Sequence, residues 1–289
     1  MAKRILLILL LPVLVSGCMR SVLISRILPR SRAIIPKNAT QPASPEKHAA
    51  EPTDSRPPFT VGEKLTYLMA WKRIPVGTAT VTVEALTTFK GYDVYKIVVT
   101  AKTNVFLSKL FKVEDTFTSY MDRDKLISRR YEATIREGRY KKDLVVDYDF
   151  AKHLATYRNL TDGSVKTTPV EKNVHDPISA AYFFRTMSLK TGDKIKITVN
   201  LCERNYVIFA DVEKMVTADL PESGTFEAFM IKPYIELEGK RQKRAMARGY
   251  ISAGKRRLVL YAVIKVLEIP WIGNVTATLR EISYGDRTD

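Results

Sequence analysis

The chain has 289 residues and is basic, with 47 lysines and arginines against 31 aspartates and glutamates and a formal charge of +16 at pH 7. Basic chains can bind nucleic acid, but no base-stacking motif accompanies the charge here. Two cysteines and three dispersed histidines are too few and too far apart for a zinc cluster.

The N-terminus has the three parts of a secretory signal peptide. Lys3 and Arg4 are followed by the apolar run 5–15 and by a small-residue junction directly before Cys18. This run is too short to span a bilayer, which needs roughly 20 apolar residues. The four residues that end at Cys18, Val-Ser-Gly-Cys, resemble the lipobox of bacterial lipoproteins. We therefore expect residues 1–17 to be a cleaved signal peptide and Cys18 to be acylated; the alternative is an ordinary signal peptide with a chance cysteine.

Residues 18–57 are predicted to be a lipidated N-terminus and a flexible tether. The segment 20–32 mixes apolar residues with four arginines, a composition that suits an anionic lipid surface. The segment 37–58 is rich in Pro, Ala, Ser, Thr and Glu and cannot bury a core. Because Met19 and not an aspartate follows the cysteine, we expect an exported, periplasmic protein on the outer membrane rather than the inner membrane.

Residues 58–285 show short alternating runs typical of β-strands, separated by turn signals such as Lys90-Gly91. The pattern predicts a single all-β domain, an antiparallel meander that forms a strongly curved sheet or open barrel, followed by a tail at 286–289. Cys202 ends one such run and is interpreted as a small core hydrophobe. The predicted strands are 64–71, 78–84, 95–102, 112–121, 126–136, 139–149, 153–160, 194–201, 204–217, 224–236, 243–252, 257–267 and 274–284.

One helix is predicted within this sheet, at 177–188. Asp176 is a good N-cap and Pro177 suits the first helical position. Tyr182 and Arg185 lie on one face at helical spacing. We expect the sheet to curve around this helix, which would complete the core.

Several short motifs, taken in order, resemble the domain-of-unknown-function family numbered 3108. They are Phe59-Thr-Val-Gly-Glu-Lys-Leu-Thr-Tyr67, Ile74-Pro-Val-Gly77, Lys112-Val-Glu-Asp115, the helix Asp176–Arg185 and the closing segment Ile272–Leu279. The resemblance implies an exported bacterial protein, often a lipoprotein, with a β-rich domain and no assigned reaction. The predicted architecture is also similar to periplasmic lipoprotein carriers that hold acyl chains in a half-barrel, although fold does not fix function.

Candidate catalytic residues have better structural explanations. Ser179, His175 and Asp176 could form a hydrolase site, but Asp176 suits the helix cap and the serine lacks a nucleophile elbow. Asp115 is expected to form a buried ion pair with Arg185, the alternative being a ligand-orienting role. Glu63 is expected to satisfy backbone groups at a strand start. The sequence therefore predicts no enzyme, no cofactor and no metal.

Two apolar segments indicate a hydrophobic ligand or ordinary core packing. The strand 258–264 is apolar on both faces, and the loop 105–111 is apolar where loops are normally polar. The candidate ligand-binding residues are Phe106, Phe111, Asp115, Tyr182, Arg185 and Tyr261.

A cluster of basic residues near the C-terminus is a candidate contact for an anionic surface such as phospholipid headgroups or lipopolysaccharide. The alternative is a solvated face that aids solubility. Export argues against nucleic acid as the partner. The residues are Lys240, Arg241, Lys243, Arg244, Arg248, Lys255, Arg256 and Arg257.

The sequence thus favours a periplasmic lipoprotein, anchored to the membrane through Cys18, that binds an apolar or amphipathic envelope molecule such as lipid or lipopolysaccharide without catalysis. A scaffold that binds another envelope protein through exposed sheet edges is the first alternative. A hydrolase that acts on wall or lipid is the second.

Overall fold

The computed structural model describes residues 57–237, 240–241, 248–265 and 274–285, with the side chains at 236, 237, 240, 241, 264 and 265 left undescribed. The predicted signal peptide, Cys18, most of the predicted tether and the tail lie outside these residues, as do Lys243 and Arg244. Within the described part, fifteen strands form one antiparallel sheet, accompanied by two helices.

The strands and helices alternate with short turns along the chain. Their bounds are β1 Lys64–Trp71, β2 Ile74–Phe89, β3 Tyr92–Thr103, α1 Val105–Ser108, β4 Glu114–Asp122, β5 Ser128–Glu137, β6 Tyr140–Asp149, β7 Leu154–Asn159, β8 Val165–Pro169, α2 Pro177–Arg185, β9 Lys194–Leu201, β10 Arg204–Leu220, β11 Gly224–Leu237, β12 Lys240–Arg241, β13 Arg248–Ser252, β14 Val259–Lys265 and β15 Asn274–Ser283.

The sheet is a continuous meander that does not close. Its strand order is β8-β7-β6-β5-β4-β3-β2-β1-β15-β14-β13-β11-β10-β9, with β12 paired to β11. The first and last strands therefore meet in the middle, and the edges are β8 and β9. The chain that joins these edges contains α2, which packs against β9 and β4. The predicted all-β meander around a helix is confirmed.

Tight turns with left-handed backbone join many of the strands. Lys72 and Arg73 both have positive φ, at 47° and 70°, as the twisted two-residue hairpin between β1 and β2 requires. Cys202 and Glu203 do the same between β9 and β10, at 52° and 62°. Cys202 lies in this turn, one residue past the end of β9, and its half-buried side chain packs against the core.

Alternating side chains build the core on the concave side of the sheet. One cluster surrounds α2 and includes Phe117, Tyr131 and Ile178, all buried. A second cluster, which includes Met69 and Leu260, fills the region near α1. Three elements were not predicted: the short helix α1, the polar edge strand β8 and the two-residue strand β12. Helix α2 also ends at Arg185 rather than at 188.

Candidate ligand cavity and its polar anchor

A cavity of about 300 Å³ lies between α2 and the concave face of the sheet. Its lining is almost entirely apolar, from the central strands β1 to β3 on one side and β9 to β11 on the other. Some lining residues, among them Ala181, Phe184 and Pro233, are half-buried. The remaining lining residues are Leu65, Tyr67, Ala79, Val81, Val99, Pro177, Ala180, Tyr182, Arg185, Ile195, Ile197, Ile208, Ala210, Ile231 and Val259.

The charged group in this wall, Arg185, is held by a buried partner. Its Nη1 donates to Glu63 Oε1 at 2.6 Å, and its Nη2 donates to Glu63 Oε2 at 2.8 Å. Nη2 and Nε also donate to the backbone oxygen of Arg256, at 3.1 and 3.3 Å. Both side chains of the pair are almost completely buried. The guanidinium is thus committed to a fixed bidentate geometry.

The two tyrosine hydroxyls at the cavity are engaged as well. Tyr67 donates to the backbone oxygen of Val259 at 3.0 Å, and Tyr182 donates to Glu63 Oε1 at 3.4 Å. Burial raises the pKa of both hydroxyls above the ordinary value, so they stay neutral. Burial lowers the pKa of Arg185, but its hydrogen bonds with Glu63 outweigh this and the pKa lies above its usual value. The described residues of the cavity wall therefore offer satisfied polar groups and no unpaired charge.

The predicted ion pair between Asp115 and Arg185 was wrong. Asp115 lies on β4 and accepts a hydrogen bond from the backbone nitrogen of Arg136 at 2.7 Å. Burial raises the pKa of this carboxyl group to about 6. Glu63, rather than Asp115, forms the ion pair with Arg185. The prediction that Glu63 only satisfies backbone groups at a strand start was therefore incomplete. Asp115 is not part of the cavity lining.

Asp176 caps α2 and also organises a buried cluster of serines. Its Oδ1 accepts from the backbone nitrogens of Ile178 and Ser179, at 2.7 and 2.9 Å. Its Oδ2 accepts from the hydroxyls of Ser119, at 2.6 Å, and Ser128. Burial raises the pKa of the carboxyl group. The carboxylate is thus used for capping and for bonds to two strands.

His175 and Ser179 do not form a nucleophile–base pair. The His175 ring stacks on Phe183 with 4.6 Å between the ring centroids, and its Nδ1 has no hydrogen-bond partner among the described residues. Burial lowers the pKa of the ring to about 4, so it is neutral at pH 7. Ser179 Oγ instead lies 2.9 Å from Ser128 Oγ and 3.2 Å from the backbone oxygen of Asp176. The arrangement is that of a packed helix start.

Of the predicted ligand residues, Tyr182 and Arg185 line the cavity and the others do not. Phe106 is exposed on α1, and Phe111 is half-buried against the second core cluster. Tyr261 stacks on Tyr250 with 5.6 Å between the ring centroids. The lining residues on β9 and β10 were missed, although the alternation of isoleucines at 195 and 197 is a signal that could have identified them.

The basic cluster lies only partly within the described residues, so its contact with an anionic surface stays a prediction. Arg248 and Lys255 are exposed. Arg256 stacks over Tyr284, 3.5 Å from its ring centroid, and Arg257 donates to the backbone oxygen of Ala253 at 2.7 Å. Lys240 and Arg241 lie on β12, with undescribed side chains.

The described residues contain neither a metal-binding cluster nor a membrane-spanning helix. No group of three or more His, Cys, Asp or Glu side chains is placed there to bind a metal ion. None of the helices in that part of the chain is long and apolar enough to cross a membrane.

Comparisons with known proteins identify the family and the fold. The profile of a family described as "Protein of unknown function (DUF3108)" matches residues 66–280. No curated protein matches the chain significantly. A crystal structure of a β-barrel-like protein of the domain of unknown function DUF1849, from Brucella abortus, is similar, with 6% identity, a TM-score of 0.55, and coverage of 79% of this chain and 99% of that one.

Two more solved structures align at lower scores. A candidate exported protein with a YmcC-like fold from Bacteroides fragilis has 9% identity and a TM-score of 0.28, over 78% of this chain and 97% of that one. A candidate lipoprotein from Parabacteroides distasonis has 10% identity and a TM-score of 0.31, over 80% of this chain and 100% of that one. Scores this low do not establish a shared fold.

Proposed function

The chain belongs to the DUF3108 family of proteins of unknown function, and from this premise we propose that it is a non-enzymatic lipoprotein of the cell envelope that binds the hydrocarbon part of an envelope lipid. The observation that supports the proposal is the apolar cavity beside α2. Its volume lies at the lower end of the range for small-molecule sites.

The cavity favours hydrocarbon over a charged headgroup. Arg185 is fully engaged by Glu63 and by the backbone of Arg256, so a ligand anion would have to displace a buried partner. Displacement would leave Glu63 as a buried, unpaired charge, at a cost of several kcal/mol. Each methylene group placed in the cavity, by contrast, gains about 0.8 kcal/mol. A headgroup would therefore stay outside the cavity while the acyl chain enters.

The cavity is tested with a neutral apolar fluorophore, N-phenyl-1-naphthylamine, and with mass spectrometry of the organic extract of natively purified protein. We expect the fluorophore to bind and an acyl lipid to co-purify. Ala181→Phe, at a half-buried position of the cavity lining, should weaken fluorophore binding at least tenfold. Ala151→Phe, on an exposed turn outside the cavity, is the matched control and should bind as the native protein does. Equal binding of the fluorophore by both variants would mean that the ligand does not bind in this cavity.

Attachment to the membrane is a separate part of the proposal and has its own test. Acylation of Cys18 would hold the domain at a periplasmic membrane surface, and we place it on the outer membrane because Met19 follows the cysteine. Radiolabelled palmitate should enter the native protein and should not enter the Cys18→Ser variant. Equal labelling of the two would contradict the assignment of Cys18. Fractionation of the two envelope membranes then decides between outer and inner membrane.

A further inference from the structure

We propose that the end of the domain formed by α1 and the β1–β2 turn docks on an anionic phospholipid surface, with α1 entering the interface. This surface is called the apolar tip, and it consists of residues 72–74 and 105–110. Its four large apolar residues are strongly exposed: Val105 by 80%, Phe106 and Leu110 by 76% each, and Ile74 by 60%. Side chains of this size normally avoid water, and their concentration at one point marks a contact surface.

The apolar tip is held in place by the sheet. The Asn104 side chain accepts from the backbone nitrogen of Leu107 at 2.8 Å and donates to the backbone oxygen of Pro75 at 2.7 Å. The Asn104 backbone nitrogen also donates to Val76 at 3.0 Å. Leu107 and Phe111 pack against the second core cluster, so α1 is anchored on one side. Its exposed side chains therefore project as a fixed group.

Basic side chains surround the apolar tip. Lys72, Arg73 and Lys109 are exposed and, among the described residues, lie in no ion pair. Lys102 and Lys112 share a single carboxylate, Glu114, at 3.9 and 2.8 Å. Each basic group near an anionic membrane contributes about 1 kcal/mol. Exposed apolar side chains with basic neighbours match an anionic lipid interface better than a second, equally basic copy of this chain.

The position of the apolar tip is compatible with an N-terminal lipid anchor. The tip lies at the Trp71 end of β1, whereas the chain from Cys18 enters β1 at Lys64. Residues 19–63, at about 3.3 Å per residue when extended, can span the length of β1 several times. The anchor would keep the domain near the bilayer, and the apolar tip would set its orientation. This inference does not depend on what the cavity binds.

Amine labelling of the acylated full-length protein in vesicles tests the proposal. A membrane-impermeant reagent is applied in phosphatidylcholine vesicles with and without about one-third phosphatidylglycerol, and labelling is read by mass spectrometry. We expect Lys72 and Lys109 to be labelled severalfold more slowly with phosphatidylglycerol present. Lys152 lies in the turn that follows β6, at the end of this strand opposite the apolar tip. It should be labelled equally fast in both kinds of vesicle.

Variants decide whether the apolar tip causes the protection. Phe106→Ser combined with Leu110→Ser should abolish it, and Lys109→Glu should weaken the protection of Lys72. The control is Leu86→Ser, at an exposed apolar residue near the other end of β2. These positions are exposed, so circular dichroism should show unchanged folding. Protection that persists in the double variant, or that appears in concentrated protein without lipid, would overturn the proposal.

Discussion

Glu63 and Arg185 are distant in sequence, yet they form the most completely buried ion pair among the described residues. A buried pair of this kind adds little net stability compared with apolar residues, because both charges lose their hydration. Breaking it from one side is costly, however, since the remaining charge has no partner. Its value here is geometric, because it fixes the end of α2 against the start of β1.

Glu63→Gln is therefore expected to destabilise the protein by about 3–5 kcal/mol, because Arg185 is left charged and buried. Denaturant unfolding measures the change in the free energy of unfolding. The control is Glu84→Gln, which removes an exposed pair with Lys96 and should cost less than about 1 kcal/mol. The double variant Glu63→Leu, Arg185→Met should be more stable than Glu63→Gln alone. A loss no larger than that of the control would contradict the importance of the buried pair.

Asp115 should make stability depend on pH in the opposite direction to an ordinary carboxylate. Its pKa is about 6 in the folded protein and about 3.9 in an unfolded chain, so the folded state binds the proton more tightly. Stability then falls as pH rises from about 4 through 6. Asp115→Asn should stabilise the protein by about 2–3 kcal/mol at pH 8 and by almost nothing below pH 4.

Thermal or denaturant unfolding of Asp115→Asn at pH 8 and pH 3.5 provides the measurement. Comparison with native protein at each pH removes the contribution of His175, which both proteins share. Asp124→Asn, at an exposed carboxylate in the next turn, is the control and should show little change. An equal effect at the two pH values would mean that the charge of Asp115 is not the cause.

Helix α2 depends on Asp176 more than an ordinary helix depends on its cap. Loss of a cap costs about 1 kcal/mol, and the buried hydroxyls of Ser119 and Ser128 would lose their acceptor as well. Asp176→Ala should therefore cost about 2–4 kcal/mol in the free energy of unfolding. Asp176→Asn keeps an oxygen at the cap and should cost clearly less. If both variants were equally destabilised, charge rather than hydrogen bonding would hold the helix.

Most strands and helix α2 were predictable from the sequence because short stretches of neighbouring residues determine them. The bounds of β1 and β9 follow from strict alternation, and α2 follows from Asp176 and Pro177. The strand β8 was missed because Val165–Pro169 is short, polar and exposed, with little alternation to detect. Helix α1 was missed because four residues carry almost no periodicity.

The cavity and its polar anchor could be predicted only in part. Tyr182 and Arg185 were found because they share a helix face. Their partner Glu63 was not, because the pairing depends on which strand lies beneath α2, and turn signals do not reveal that. Asp115 has the same apolar neighbours in sequence that made it a plausible partner, yet β4 places it against the backbone of Arg136.

At the scale of the whole molecule, the pairing of β1 with β15 places the chain ends at the centre of the sheet. Central strands are paired on both sides, whereas β8 is short, exposed and paired on one side only. Amide hydrogen exchange should therefore be slowest in β1, β2 and β15 and fastest in β8. Mass spectrometry of peptic fragments measures this order. Slow exchange in β8 would mean that its free edge is covered in solution.

The open edges of the sheet also affect what the interior can hold. At one end, side-chain hydrogen bonds join β8 to the start of β10 and to the β9–β10 turn: Asn205 donates to the backbone oxygen of Pro169 at 2.7 Å, and Thr168 donates to that of Glu203 at 3.0 Å. These two edges can separate by breaking a few side-chain hydrogen bonds, while the backbone hydrogen bonds between paired strands stay intact. Ligands of different width would then fit inside the same fold.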